Sequence, residues 1–163
     1  MSAIDDYLAR NAQYAPTHVG GQPVAPGQHI AVVACMDARL AISELLGLGN
    51  GEAHVIRNAG GVVTDDVIRS LAISQRLLGT TEIILIHHTA CGMLTVTDDS
   101  FKQSIQIDPG LRPPWAVEAF TDVEEDVRQS RARILASPYI PYKDDIRGFI
   151  FDVATGKLNE VTG

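Results

Sequence analysis

The chain has 163 residues, 45% of them hydrophobic and 20% charged, a balance typical of one soluble globular domain. Its formal net charge of -7 and its lack of a dense Lys/Arg run argue against nucleic acid or an anionic membrane as a partner. No stretch approaches about 18 apolar residues, and the first residues lack a basic segment followed by an apolar run. The sequence therefore predicts a cytoplasmic protein with no membrane span. In that reducing compartment, Cys35 and Cys91 are expected as metal ligands, nucleophiles or buried hydrophobic residues rather than a disulfide.

The N-terminal part predicts a helix followed by an arm. Residues 3–14 place Ile4, Tyr7 and Leu8 at helical spacing. Residues 15–28 are rich in Pro and Gly and predict a connecting arm rather than a core element. Residues 1–28 thus form an N-terminal helix and arm, and we expect the first helix to pack away from its own domain, against a partner subunit.

Strands and helices alternate in the rest of the chain. Apolar runs predict strands at 30–34, 54–57, 81–88 and 148–153, followed after a turn by a short strand at 157–161. Helices are predicted at 39–47, 66–78 and 98–106, and from a capping box of Thr121 and Glu124 to about residue 136. This order predicts an α/β fold: a mainly parallel central sheet of about four strands with an added antiparallel edge strand and helices on both faces.

Two cysteines and a histidine follow predicted strands. Cys35 comes directly after the first strand, and His88 and Cys91 lie at and just beyond the end of the third. Because parallel strands present their carboxyl ends at one edge of a sheet, these residues are expected to converge. Two thiolates and one imidazole suit tetrahedral zinc, and three ligands with an open fourth position are typical of catalytic sites. Such a zinc would supply hydroxide as a nucleophile, with activity rising above neutral pH because two thiolates offset the charge of the metal.

Asp37 and Arg39 lie just beyond Cys35 and offer two arrangements. Asp37 could occupy the open zinc position and shut the site. It could instead pair with Arg39, whose donor fork matches a carboxylate, and then accept a hydrogen bond from the hydroxide and orient it. A carboxylate with two competing partners predicts an on/off switch.

Other interpretations of these residues compete. Two cysteines at strand ends can also be small buried hydrophobic residues. His87 is an alternative ligand to His88, but neighbouring strand residues point to opposite faces, so only one of them is expected to reach the metal.

The turn at residues 58–61 resembles a phosphate-cradling turn but lacks the G-x-G-x-x-G spacing of a dinucleotide site. A tight backbone passage beside the metal pocket is the better interpretation. Ala59, Gly60 and Gly61 are then expected to line the substrate pocket and to offer backbone donors.

Three segments together resemble the beta-class carbonic anhydrases. They are residues 34–39 (ACMDAR), 51–60 (GEAHVIRNAG) and 87–92 (HHTACG). The short chain is most similar to the compact subgroup found in mycobacteria and other actinobacteria. The resemblance implies one such domain over residues 1–163 and a lyase that converts CO2 and bicarbonate.

The resemblance also implies residue roles and partners. Cys35, His88 and Cys91 would hold one Zn²⁺ per subunit, and Asp37 and Arg39 would form the catalytic dyad. The family works as homodimers or higher assemblies such as a dimer of dimers, with the N-terminal helix wrapping the partner.

The resemblance leaves the substrate open. Many family members have Gly-His where this chain has His87 and His88, so His87 is expected as an extra polar group at the pocket wall. The compact subgroup includes carbonyl sulfide hydrolases, and carbonyl sulfide would meet the same hydroxide. A zinc or bicarbonate-sensing protein sealed by Asp37 is the non-enzymatic alternative, and a nucleotide-binding domain is a third.

Overall fold

The computed structural model describes residues 2–108 and 110–163. Its five strands are β1 (Ile30–Cys35), β2 (Ala53–Asn58), β3 (Glu82–His88), β4 (Asp145–Phe151) and β5 (Leu158–Val161). The sheet order is β2-β1-β3-β4-β5. The first four strands are parallel, and β5 pairs antiparallel with β4. The predicted parallel sheet with an antiparallel edge strand is confirmed.

Within the described residues, five α-helices accompany the sheet. They are α1 (Ala3–Tyr14), α2 (Ile42–Leu46), α3 (Asp65–Leu78), α4 (Asp98–Ile107) and α5 (Val123–Ala136). Short 3₁₀ turns lie at Ala15–Thr17, Ala59–Gly61 and Gly92–Leu94. The bounds of α1 match the predicted helix, and α3 ends at Gly79, whose left-handed backbone closes it as a C-cap.

Strand β1 is buried on both faces, as its continuous apolar run predicts. Ala31 and Val33 pack in one cluster with residues of α3 and α5, whereas Val32 and Ala34 pack in a second cluster with Ile42 of α2. Helices therefore cover both faces of the sheet, as expected for a doubly wound α/β domain.

Helix α5 begins differently from the prediction. The capping box of Thr121 and Glu124 is wrong, because Asp122 is the N-cap and its carboxylate accepts hydrogen bonds from the backbone N–H groups of Glu124 and Glu125. A carboxylate at this position satisfies two free donors and also favours the positive end of the helix dipole.

Strand β4 begins at Asp145, three residues before the predicted start at 148. The early residues alternate, with Ile146 buried and Arg147 outward, where Arg147 forms an ion pair with Glu160 of β5. Residues 145–147 pair with the first residues of β3, whereas β5 pairs only with residues 148–151, so the parallel neighbour extends a strand whose first part carries little apolar signal.

Helix α1 contacts little of its own chain. Ser2 and Asp5 form a capping box at its start, yet none of the described residues of the helix is buried. Ile4, Tyr7 and Leu8 are 69%, 64% and 64% exposed. Across residues 2–108 and 110–163, no helix has the length and apolar character needed to cross a bilayer.

Candidate metal centre

The chain reverses its direction of strand addition between β1 and β3, since β2 lies on one side of this pair and β4 on the other. Ligands bind at the carboxyl edge of such a switch point. Cys35 ends β1, His88 ends β3, and Cys91 follows three residues later. All three are buried, and their ligand atoms lie within 4.8 Å of one another. The parallel pairing of β1 with β3 therefore brings these side chains together.

The His88 ring is oriented by the backbone. Its Nδ1 lies 2.9 Å from the carbonyl oxygen of Thr89, so Nδ1–H donates to that oxygen. Nε2 is buried without a hydrogen-bond partner among the described residues. Thr89 is itself held by Phe151, whose carbonyl accepts from the Thr89 N–H at 3.0 Å. Because the backbone fixes the ring through Nδ1, Nε2 is the ring atom left to face the two sulfur atoms.

The two cysteines shift each other's pKa in opposite directions. A hydrogen bond from Cys91 is the main influence that lowers the pKa of Cys35 to about 4; burial opposes it, and His88 and backbone donors of Asp37 and Gly60 assist it. The same hydrogen bond, with burial, raises the pKa of Cys91. The cluster therefore stabilises one thiolate, and a bound divalent cation is what would stabilise the second.

Asp37 is paired with Arg39. Arg39 donates from Nε to Oδ1 at 2.9 Å, from Nη2 to Oδ2 at 2.7 Å, and from its backbone N–H to Oδ1 at 2.9 Å. These hydrogen bonds hold the pKa of Asp37 well below its usual range. Nη2 also donates to the carbonyl of Ala90 at 3.0 Å, where the backbone adopts a φ of 53°. Of the two expected arrangements, the structure shows the pair with Arg39.

A cavity of about 180 Å³ opens at the cluster. It is lined by Cys35, Met36, Asp37, Ala59, Gly60, Cys91, Gly92 and Met93. A methyl group at Gly60 would lie 3.1 Å from Phe120 and 3.2 Å from Met93, so glycine keeps this wall open. A larger groove of about 740 Å³ lies near the start of α3 and the end of α5, but none of the clustered side chains lines it.

Two residues expected at the pocket wall lie elsewhere. Gly61 is against the backbone of β1 and β3: a methyl group there would lie 2.8 Å from the Cys35 nitrogen and 3.0 Å from the Ile86 oxygen. His87 is fully buried, and its Nε2 lies 2.6 Å from Oδ2 of Asp126 in α5. These positions correct the expected cavity lining, and for His87 the cause is the alternation of side chains along β3.

Arg57 at the end of β2 is a contributor that sequence reasoning missed. Its guanidinium donates to the carbonyl oxygens of Cys35 and Asp37. The available signal was the parallel pairing of β1 with β2, which sets Ala34 beside Arg57. An arginine near a strand end does not by itself indicate that its side chain contacts the backbone of the neighbouring strand.

The fold and the cluster together define a class of protein: an α/β domain with a thiolate–imidazole metal site at the switch point, flanked by a carboxylate–guanidinium pair. The chain belongs to the carbonic anhydrase family, since the model of the family described as Carbonic anhydrase matches residues 30–132. The resemblance found in the sequence is thereby confirmed.

Known relatives agree with this assignment. The chain is 64% identical over 162 residues to "Beta-carbonic anhydrase 1" of Mycobacterium tuberculosis, with 99% of both chains covered. The crystal structure of carbonic anhydrase from Streptococcus mutans superposes with a TM-score of 0.92 at 43% identity, covering 99% of each chain. "Carbon disulfide hydrolase" of Acidithiobacillus thiooxidans is 36% identical over 148 residues, covering 78% of this chain and 74% of that protein.

Proposed function

We propose that this enzyme catalyses the reversible hydration of CO2 to bicarbonate and a proton, with one Zn²⁺ per subunit. The observation that carries the proposal is the convergence of Cys35, His88 and Cys91 beside the ion pair of Asp37 and Arg39. The 64% identity to a beta-carbonic anhydrase over nearly the whole chain supports the same activity.

The donor set suits zinc. Sγ of Cys35, Sγ of Cys91 and Nε2 of His88 would hold the ion and leave a fourth position open, as in catalytic zinc sites. The buried Nε2 without a partner among the described residues supports its role as a ligand. When bound, Zn²⁺ lowers the pKa of a coordinated water and so supplies a nucleophile. Because two thiolates offset the charge of the ion, we expect hydration to increase above neutral pH.

Asp37 orients the attacking water. Its Oδ2 is 3.6 Å from Nε2 of His88, so the carboxylate borders the ligand cluster. An ionised carboxylate only accepts hydrogen bonds; Oδ1 already accepts two from Arg39, whereas Oδ2 accepts one and keeps a lone pair for a further donor. The water must therefore donate to Asp37, which directs a water lone pair towards the carbon of CO2.

Arg39 keeps Asp37 in this orientation. Moving the carboxylate into the fourth zinc position would break the two side-chain hydrogen bonds from Arg39, which are charge-assisted. The observed pairing therefore favours a catalytic site over one sealed by Asp37. The small cavity, with Met36 and Met93 in its wall, suits a small neutral substrate such as CO2.

Zinc content and CO2 hydration by stopped flow over about pH 6.5 to 9 test the proposal together. We expect one zinc per chain and a rate that increases with pH. Cys35→Ser, His88→Ala and Cys91→Ser should each lower zinc content and abolish hydration. A zinc-loaded protein that stays silent across this range would support the sealed, non-catalytic alternative instead.

Hydrolysis of a linear sulfur analogue is a second candidate activity. The 36% identity to a carbon disulfide hydrolase favours it, because carbonyl sulfide and carbon disulfide present the same electrophilic carbon to the same nucleophile. Turnover of CO2, carbonyl sulfide and carbon disulfide by one preparation would rank the three substrates. Faster turnover of carbon disulfide or carbonyl sulfide than of CO2 would show that the sulfur compound, not CO2, is the preferred substrate.

We also propose a single domain over residues 1–163 that acts in the cytoplasm as a homodimer or dimer of dimers. The exposed apolar residues Ile4, Tyr7 and Leu8 of α1 support assembly, because such a row is normally covered. Sedimentation of the full chain across a range of concentrations tests this. Leu8→Ser should weaken assembly, whereas Leu77→Ser, at another exposed leucine, should not.

A further inference from the structure

Arg57 bridges two backbone positions of the site. Its Nε and Nη2 donate to the carbonyl oxygen of Cys35 at 3.0 and 2.8 Å. The same Nη2 donates to the carbonyl oxygen of Asp37 at 2.7 Å. One planar guanidinium therefore holds the chain on both sides of Met36, between a clustered sulfur and the carboxylate beside it.

This contact is made where the sheet stops supporting the chain. The pairing of β1 with β2 ends with Cys35 beside Asn58, followed by one hydrogen bond of 2.7 Å from the Met36 N–H to the Asn58 carbonyl. Carbonyl groups beyond a ladder need other partners. The Asp37 carbonyl accepts from the Leu40 N–H at 3.0 Å, and Arg57 of the adjacent strand donates to it and to the Cys35 carbonyl. The path of residues 35–37 is therefore held in part by a side chain that does not line the cavity.

We propose that Arg57 is a positioning residue for the reaction, fixing the spacing between the Cys35 sulfur and the Asp37 carboxylate through the backbone. Arg39 and Arg57 act on different parts of Asp37: Arg39 sets the direction of its carboxylate, and Arg57 sets the peptide from which that side chain starts. The role of Arg57 in catalysis rests on the proposed function, whereas its effect on the position of Cys35, and so on metal affinity, does not.

Lysine cannot replace this group fully. A guanidinium presents several donors in a rigid fork, whereas an ammonium is a single point on a flexible stem. We therefore expect Arg57→Lys to hold one carbonyl at a time and to retain part of the activity. A misplacement of about 1 Å at a reacting group can cost about 100-fold, so Arg57→Ala should lower kcat about 10- to 100-fold. KM should change little, because Arg57 is outside the cavity lining.

The test compares Arg57→Ala and Arg57→Lys with Arg147→Ala as a matched control. Arg147 is also a strand arginine with two short contacts, at 2.7 and 2.6 Å to Glu160, but it lies on β4 and touches none of the clustered residues. Each variant is assayed for kcat and KM, for zinc affinity by competition with a chelator, and for the unfolding midpoint of the metal-free protein. Guanidinium chloride at non-denaturing millimolar concentration is then added to Arg57→Ala.

The expected result is a saturable recovery of kcat by guanidinium in Arg57→Ala and no response in Arg147→Ala. Zinc affinity should fall about tenfold in Arg57→Ala alone, as for other groups that orient metal ligands from outside the coordination shell. If Arg57→Ala does not fold, Arg57→Lys tests the proposal instead: a lower kcat and zinc affinity than the wild type support it, and wild-type values of both contradict it.

The idea is overturned if Arg57→Ala keeps wild-type kcat and zinc affinity, or if kcat falls only in step with the unfolding midpoint and guanidinium restores nothing. A wild-type protein that fails to hydrate CO2 contradicts the proposed function instead. The change in zinc affinity then still tests Arg57.

Discussion

Replacing Gly61 with alanine should disrupt the site, because the added methyl group would press on the backbone of the strands that carry Cys35 and His88. Gly61 has a φ of +74°, and a β-carbon there would lie 2.8 Å from the Cys35 nitrogen, 3.0 Å from the Ala34 carbonyl carbon and 3.0 Å from the Ile86 oxygen. All three atoms are backbone atoms of the two central strands, so none can turn aside as a flexible side chain would. Gly61→Ala must therefore push the 59–61 turn away from the sheet or separate β1 from β3.

The loss of unfolding free energy in Gly61→Ala has two parts that can be separated. A left-handed backbone costs alanine about 1 to 2 kcal/mol. Overpacking of a close contact adds about 1 to 3 kcal/mol. Gly79 supplies the control, because its φ of +73° is nearly the same and a methyl group there would approach only the His29 ring, at 3.9 Å. The free energy of unfolding should therefore fall by the first amount alone in Gly79→Ala. In Gly61→Ala it should fall by both, about 2 to 5 kcal/mol in total.

Urea unfolding of the metal-free proteins measures this difference without a contribution from metal binding. Hydration and zinc affinity of the loaded proteins then report on the site. Gly61→Ala should lose both, because the contacted nitrogen belongs to Cys35, whereas Gly79→Ala should keep both. Equal losses of unfolding free energy in the two variants would refute the steric argument and leave only the backbone conformation as the cause.

Three further predictions follow from the site and its surroundings. Asp37→Ala should retain stoichiometric zinc, because the cluster is unchanged, while hydration falls at least about 100-fold; metal analysis showing lost zinc would instead make Asp37 a ligand. Asp98 accepts hydrogen bonds from the backbone of Ala119 and Val117, and the first of these is the main reason its pKa is lowered. Its contribution should therefore be present above the unfolded pKa of about 3.9 and lost as pH falls through the folded value. Asp98→Asn should cost about 1 kcal/mol of unfolding free energy at pH 7, and a cost that does not decrease as the pH falls below the unfolded pKa would contradict the charge-based explanation. Removing metal with a chelator should lower the unfolding midpoint of the wild type, and an unchanged midpoint would show that the metal contributes nothing to stability.

Much of the fold could be predicted from local sequence signals. The apolar run at 30–34 and the alternation with helices were sufficient for a parallel sheet, and the parallel sheet in turn brought Cys35, His88 and Cys91 to one edge. The start of α5 was missed because Thr121 and Asp122 are both good N-caps, and only the structure decides which residue has the extended backbone.

The supporting contacts of the site were less accessible. His87 carries the same side chain as His88 but faces α5, and its partner Asp126 is 39 residues away along the chain. Arg57 was inside a recognised motif, yet its role depends on the register of β1 against β2, which no local pattern encodes. Sequence motifs thus reveal chemical groups, whereas the groups that orient them appear only once the strand pairing is known.

In the proposed assembly, the folding of helix α1 would depend on protein concentration. A helix of 12 residues without buried side chains in its own chain is marginally stable in water even with a good cap. Its helical content should therefore depend on whatever surface covers it, and dilution should unravel it before the sheet is affected. In the proposed assembly, the far-ultraviolet circular dichroism of this protein would report on association as well as on folding.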